Sequence, residues 1–378
     1  MYNKLKQLVR SFEEYSSLLL SFIVNLLIYQ RKYLDAAKIR KIIIFRLDHL
    51  GDVLLSIPAI ANIRKSFPLA HITMVVNASS EPLARLIPYV DDIVCYNARF
   101  FDRSDSVKIL DIGHVIRFLN GMKKKYDLIF DLRGSFISIL FAIVSKSKYR
   151  FDRGTYLINR KLKSKPEEHE AEINLGIVAR SGISIESKEI SLNLGQNDSG
   201  FADALLYEFG ASNLRVIVIH PGSPTILKRW SEERYASLII QLLLEYPSRV
   251  LIIGGKSEKE IAEHIISKVN DQNVIDLTGQ MDICQLAAVL KKSDLFIGND
   301  SGPMHLAASC GTKVIGLFGP TNHKRFGPYG SNCITLRKEP DCSPCAKESC
   351  KFSNYKCIDQ ISVDHVMAIA RQMLSTRD

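Results

Sequence analysis

The chain has 378 residues, 46% of them hydrophobic and 24% charged, and a formal net charge of +10. This composition is globular rather than disordered, and the length suffices for two domains of ordinary size. The positive excess calls for an anionic partner, a phosphorylated substrate or an acidic membrane surface; it is spread along the chain without an RNA-recognition or zinc-finger signature, which argues against nucleic acid.

Residues 1–38 read as an N-terminal extension. Leu18 to Tyr29 is largely apolar, but a dozen residues falls short of the roughly 20 that cross a bilayer. Glu14, Ser17, Ser21 and Asn25 recur at helical spacing and leave Leu18, Leu19, Phe22, Ile23 and Leu26 on the remaining face, with Lys4, Lys6, Arg10 and then Arg31 and Lys32 on either side. This predicts an amphipathic helix within residues 5–33, for which docking on a membrane surface and packing on the protein itself or on a partner both stand open. No small-residue cleavage site follows, so a signal peptide is not expected.

Ile42 to Phe45 predicts a strand that ends at Arg46-Leu47-Asp48-His49-Leu50-Gly51-Asp52-Val53, after which Leu54, Leu55, Ile57, Ala59, Ile60 and Ile63 predict a helix. A polar turn at the carboxyl end of a strand is where open α/β sheets bind ligands. Asp48 and Asp52 flank the Gly51 turn, where a carboxylate can cap the helix or act as a base. Strands at His71 to Val76, Ile93 to Tyr96 and Leu128 to Leu132 continue the alternation. Arg133 and Arg153 follow strand-like segments and are candidates for binding an anionic acceptor, or plain surface cations. The charged run Lys161 to Glu172 predicts a loop or exposed helix, and His169-Glu170 in it lacks the second histidine of a zinc-protease motif.

Ser181 to Gly200 is rich in Ser, Gly, Asn and Asp and holds a β-type segment at Ile190 to Leu194, placing a boundary near Gly195 and domains at 39–195 and 196–378. The pattern then restarts: helix at Phe201 to Phe209, strand at Val216 to Ile219, helix at Leu238 to Leu244, strand at Val250 to Ile253. Gly-x-Gly-x-x-Gly is missing, which argues against a nicotinamide dinucleotide, and Gly255-Lys256-Ser257 ends like a P-loop but has Val250 at the first glycine position. His220-Pro221-Gly222-Ser223-Pro224 closes the Val216 strand, and Lys228-Arg229-Trp230 follows; backbone N–H groups at Gly222 and Ser223 with the Lys228 cation suit a diphosphate. Glu258 falls in a first helical turn. Leu295 to Ile297 predicts a strand, Gly298-Asn299-Asp300-Ser301-Gly302 a tight turn, and Met304 to Ala308 a helix carrying His305. Asp300 or Ser301 is placed to cap it, and its amide end suits a phosphate. Val314 to Phe318 is the next strand. Cys342, Cys345, Cys350 and Cys357 concentrate half of the eight cysteines in sixteen residues; their spacing is not that of a standard zinc ribbon, and structural metal or reduced thiols both stand open. Ile361 to Leu374 predicts a terminal apolar-faced helix able to cross back to the first domain.

Asp300-Ser301-Gly302-Pro303-Met304-His305-Leu306-Ala307-Ala308, followed by Gly316-Leu317-Phe318-Gly319-Pro320-Thr321, resembles the signature of the ADP-heptose:lipopolysaccharide heptosyltransferases, glycosyltransferase family 9. Gly51-Asp52-Val53 with Pro58-Ala59, then Pro221-Gly222-Ser223 and Lys228-x-Trp230, match the family's other elements in order. The resemblance implies an α/β fold of the GT-B type, two facing Rossmann-like domains with an interdomain cleft. It implies inverting transfer of a heptose or related sugar from an ADP-sugar donor to a glycolipid or glycan acceptor, with no cofactor required. Asp52 would be the general base; Asp48 departs from members with a small or hydroxyl residue there, which leaves open which carboxylate acts. Donor binding would fall to Gly222, Ser223, Lys228, Asp300, Ser301, Gly302 and His305, with Glu258 at the ribose; Asp48, Arg133 and Arg153 would face the acceptor. A cysteine-bearing tail occurs in some members. The implied location is peripheral, on the cytoplasmic face of the inner membrane. A different nucleotide-sugar donor, or a binding protein without catalysis, are the alternatives.

Overall fold

A computed structural model describes residues 16, 19–26, 34–96, 113, 117, 118, 120, 126–134, 136–145, 147–162, 168–211, 213–345, 350 and 357–375. The chain divides into two compact units, Met1–Glu189 and Ile190–Asp378.

The first unit is built on five strands: β1 (Lys41–Arg46), β2 (His71–Val76), β3 (Asp92–Cys95), β4 (Leu128–Asp131) and β5 (Tyr149–Asp152). All pair in parallel, in the order β3-β2-β1-β4-β5. Ile42, Ile43, Ile44 and Phe45 are all fully buried, so both faces of β1 are covered and the strand reads as an unbroken apolar run instead of an alternating one. The chain leaves β1 for β2 on one side and later returns as β4 on the other, so a crevice opens at the carboxyl ends of β1 and β4, the place where such sheets bind ligands.

The second unit repeats the design with six parallel strands: β6 (Arg215–His220), β7 (Ser248–Ile252), β8 (Val274–Asp276), β9 (Leu295–Asn299), β10 (Lys313–Phe318) and β11 (Cys333–Arg337). Their order is β11-β10-β9-β6-β7-β8, which puts the reversal between β6 and β9. Trp230 is buried beneath this sheet, edge-on to Tyr235 at 5.0 Å between ring centroids, with its indole N–H donated to the Ile361 carbonyl at 2.9 Å.

Several expectations are corrected. Ile190 to Leu194 forms no strand: it lies exposed or half-buried, has no partner strand among the described residues and runs into the helix Gln196–Glu208. The terminal helix Val363–Leu374 does not leave its unit, because Val366, Met367, Ala370, Met373 and Leu374 join the core of the second sheet and Arg371 bonds Glu245. The charged run before residue 172 does not end as an exposed element: the helix Glu170–Ala179 starts with Glu170 already buried. Near the N-terminus, residues 19–26 are helical, and Ser21 is buried in hydrogen bonds to Asp152 and Arg150 of β5, so this helix packs on its own unit. No described helix is long and apolar enough to cross a membrane.

Candidate active site

The crevice of the first unit holds a buried cluster of charge. β1 ends in Arg46, whose side chain is buried and donates to the Leu132 carbonyl at 2.6 Å, the Asp52 carbonyl at 3.1 Å, the Asp52 carboxylate at 3.3 Å and Glu170 Oε1 at 3.2 Å. Asp48 Oδ2 stands 3.3 Å from Arg46 Nε, and its other oxygen accepts from Arg133. Arg153 holds Glu170 with two bonds, 2.5 Å to Oε1 and 3.0 Å to Oε2. Three carboxylates thus face three guanidiniums. This is the arrangement a low-dielectric site needs, since an unpaired charge there would be strongly destabilising.

Within the cluster the acids differ. The side chains of Asp48 and Glu170 are each 3% exposed, whereas that of Asp52 is 27% exposed. Neither Asp48 nor Asp52 caps the helix Leu50–Leu54, whose N-cap residue is His49; both carboxylates serve Arg46 instead. Burial pushes the Asp52 carboxyl up to about 6, the neighbouring Asp48 and Glu170 charges add to the rise, and Arg46 and Arg133 oppose it. Arg133 keeps partial exposure beside Asp48. Arg153, expected to face the acceptor, is instead buried and spent on Glu170.

The crevice of the second unit is assembled from the turns after β6 and β9. Asn299, the last residue of β9, is fully buried and joins them: its Oδ1 accepts from the Trp230 N–H at 3.1 Å and the Tyr235 hydroxyl at 3.0 Å, while its Nδ2 donates to the carbonyls of Pro221 at 2.7 Å and Gly222 at 3.3 Å. His220 faces Ser301 Oγ with Nδ1 at 3.0 Å and Glu258 Oε2 with Nε2 at 3.4 Å. Glu258 also accepts from the Gly255 N–H at 2.8 Å, and these bonds hold its carboxyl below the ordinary range although burial works the other way. It lies so close to the β6 turn that a Cβ on Gly222 would fall 1.7 Å from its Oε1, so a side chain there would have to displace the Glu258 carboxylate.

Lys228, in the short turn Ile226–Lys228, reaches Asp300 Oδ2 at 2.6 Å. The expected cap on the helix Gly302–Ser309 is not formed: Ser301 is the N-cap residue, but its hydroxyl bonds His220 and the Asn299 carbonyl, and Asp300 takes Lys228. Neither Asp300 nor Ser301 therefore supplies a side-chain acceptor to the first turn of this helix, where His305 is buried. Ser223 Oγ is fully buried and has no hydrogen-bond partner among the described residues, a donor held ready for an oxygen from outside the chain. In the cysteine-bearing tail, Cys342, Cys345, Cys350 and Cys357 are free thiols; the last three are close enough to influence one another, but among the described residues no group of three or more His, Cys, Asp or Glu side chains is arranged to hold a metal.

Arg46, Glu170, Asn299 and His220 are the residues that sequence reasoning left without a role. The first and third carried a usable signal, a polar side chain closing an apolar strand next to a polar turn. Glu170 carried none, because its partners lie 124 and 17 residues away.

The family model for glycosyltransferase family 9 (heptosyltransferase) matches residues 115–356. A lipooligosaccharide heptosyltransferase 2 of Campylobacter jejuni is 27% identical over 333 residues, covering 86% of this chain and 95% of that one. Among solved structures, a family 9 glycosyl transferase of Veillonella parvula superposes with a TM-score of 0.74 at 22% identity, over 89% of this chain and 97% of that chain. The ADP-heptose lps heptosyltransferase II of E. coli does so with a TM-score of 0.69 at 19% identity, over 88% and 98%. The shared architecture is the GT-B type, two Rossmann-like α/β units.

Proposed function

The chain belongs to glycosyltransferase family 9, the heptosyltransferases, and from that premise we propose that it moves a heptose from ADP-heptose to the saccharide core of a lipopolysaccharide-type glycolipid, with inversion at the anomeric carbon. It is a glycosyltransferase of a family that builds lipopolysaccharide cores. ADP-heptose is the sugar nucleotide named for the E. coli relative.

In this reading Asp52 removes the proton from the acceptor hydroxyl as that oxygen forms its bond to the anomeric carbon, while the bond from that carbon to the ADP oxygen breaks and its electron pair leaves with the diphosphate. The observation that carries the assignment is the inequality among the three carboxylates on Arg46. Asp48 and Glu170 are closed off by guanidiniums, and Asp52 alone keeps a surface that a substrate can touch. A carboxylate raised toward 6 is also a better base than an ordinary one, and still mostly ionised at neutral pH. Arg133, partly exposed beside Asp48, is placed to meet an anionic group of the acceptor.

On the donor side, Lys228, the Ser223 hydroxyl and the uncapped amides opening at Ser301 and Gly302 offset the charge gathering on the departing diphosphate. His305 lines the same helix turn, and Glu258 accepts hydrogen bonds from the ribose hydroxyls. The scheme asks for no metal, since protein groups supply the positive charge. An acceptor built on a lipid would bring the enzyme to the cytoplasmic face of the inner membrane as a peripheral protein.

The test compares Asp52→Asn with Asp48→Asn, measuring ADP release from ADP-heptose with a heptose-lacking core acceptor and ADP binding by thermal shift. Asp52→Asn is expected to lose transfer by about a thousandfold or more, in line with removal of a general base acting at a poor nucleophile, and to keep ADP binding. Near-normal turnover in Asp52→Asn, or loss confined to Asp48→Asn, would overturn the assignment.

A further inference from the structure

The helix at residues 19–26 buries Ser21 and Val24 and leaves other apolar side chains on its outer face. Its polar residue Ser21 is fully buried, donating from Oγ to Asp152 Oδ1 at 2.8 Å and accepting from Arg150 Nη2 at 2.8 Å, while the Ser21 carbonyl accepts from Arg150 Nη1 at 3.3 Å. Leu19, Ile23 and Leu26, four and three residues apart and so on one stripe, are 55%, 40% and 64% exposed. A helix held by the hydrophobic effect alone would turn this stripe inward. Here the Arg150 guanidinium, itself buried between Asp131 and Asp152, claims the hydroxyl and fixes the rotation.

The same buried arginine organises a second apolar surface. Asp131, its partner at 2.9 Å, accepts at 2.6 Å from Ser138 of the helix Phe136–Ser145, which ends with Ile143 and Val144 exposed. In sequence, the stretch that carries Leu19, Ile23 and Leu26 is basic. The first 41 residues hold eight lysines and arginines against three acidic residues, with Lys4, Lys6 and Arg10 ahead of the helix and Arg31, Lys32 and Lys38 after it. Such a flank repels a second copy of itself and attracts an anionic surface.

We propose that the outward stripe Leu19-Ile23-Leu26, held in place by the Ser21–Arg150–Asp152 lock, is the element by which the enzyme docks on an anionic lipid bilayer. The apolar stripe enters the boundary between headgroups and acyl chains and the basic flanks meet the headgroup charge. The proposal deepens the glycolipid reading of the acceptor and rests on it for its biological sense, but it is tested without turnover, so each can fail alone.

The experiment is co-sedimentation of the full-length chain with phosphatidylcholine vesicles, with and without phosphatidylglycerol. The wild type is expected to bind the anionic vesicles, and Leu19→Ser/Ile23→Ser/Leu26→Ser to bind them about tenfold more weakly or worse, with unchanged melting temperature and unchanged ADP binding, since the three side chains lie on the surface. As a gain-of-signal variant, Ile23→Trp should show a blue-shifted indole emission on adding anionic vesicles; the natural background is the lone, buried Trp230. Equal vesicle binding by the wild type and the triple variant would overturn the proposal. So would wild-type self-association that the triple variant abolishes in the absence of vesicles, because the occupant would then be a second copy.

Discussion

Replacing Asp52 by asparagine should stabilise the protein that it inactivates. The folded-state carboxyl titrates near 6 against 3.8 for an unperturbed aspartate, a gap of about 2 pH units, and each unit is worth about 1.4 kcal/mol between the two protonation states. Below pH 4 both the folded and unfolded chains carry the proton and nothing is lost. Between 4 and 6 the unfolded chain releases its proton while the folded one holds it, so wild-type stability falls as pH rises; above 6 the full penalty is in place. That penalty is at most about 3 kcal/mol, and Asp52→Asn, which carries no charge to bury, escapes it. For a unit of this size the gain corresponds to a rise in melting temperature of up to about 10 °C. Melting curves of wild type and variant should therefore coincide near pH 4 and separate progressively to pH 7, with the variant higher. A variant that melts lower than wild type at pH 7, or a gap that does not depend on pH, would show that the Arg46 pairing outweighs burial and that Asp52 is an ordinary structural carboxylate.

Two further outcomes follow from the same geometry. Glu170→Gln removes one negative charge from between Arg46 and Arg153 and should cost about 3–5 kcal/mol in urea unfolding; because the Glu170 charge raises Asp52, the acid limb of the transfer rate should also move to lower pH, and an unmoved limb would disconnect the two groups. Ser223→Ala deletes a buried hydroxyl that has no partner among the described residues, so stability should stay within about 0.5 kcal/mol of wild type while ADP binds about tenfold more weakly by calorimetry; equal affinity would show that Ser223 does not meet the diphosphate.

The sequence exposed those parts of the structure whose causes are local. Ile42–Phe45 and Val216–Ile219 could be read as strands because parallel strands covered on both faces need continuous apolar side chains, and the polar turns that close them mark the two crevices. Ile190–Leu194 misled because its β-type composition had no partner strand to meet. The cap expected at Ser301 failed through a contact 81 residues distant, His220, that competes for the hydroxyl. Arg153 looked like a surface cation until Glu170 appeared beside it, and which of Asp48 and Asp52 keeps open surface depends on where Arg46 and Arg133 point. These are consequences of long-range pairing, to which neither periodicity nor spacing is sensitive.

Asn299 offers a last consequence. One carboxamide ties the loop after β6, the backbone before the helix at Glu232–Glu245 and the end of β9 into a single piece. Loops that would otherwise order separately are already joined, so at the proposed donor site little of the affinity for a sugar nucleotide would be spent on ordering the receptor. Rigidity of that kind would let the proposed transferase exchange spent ADP for fresh donor without the platform itself being remade at every cycle.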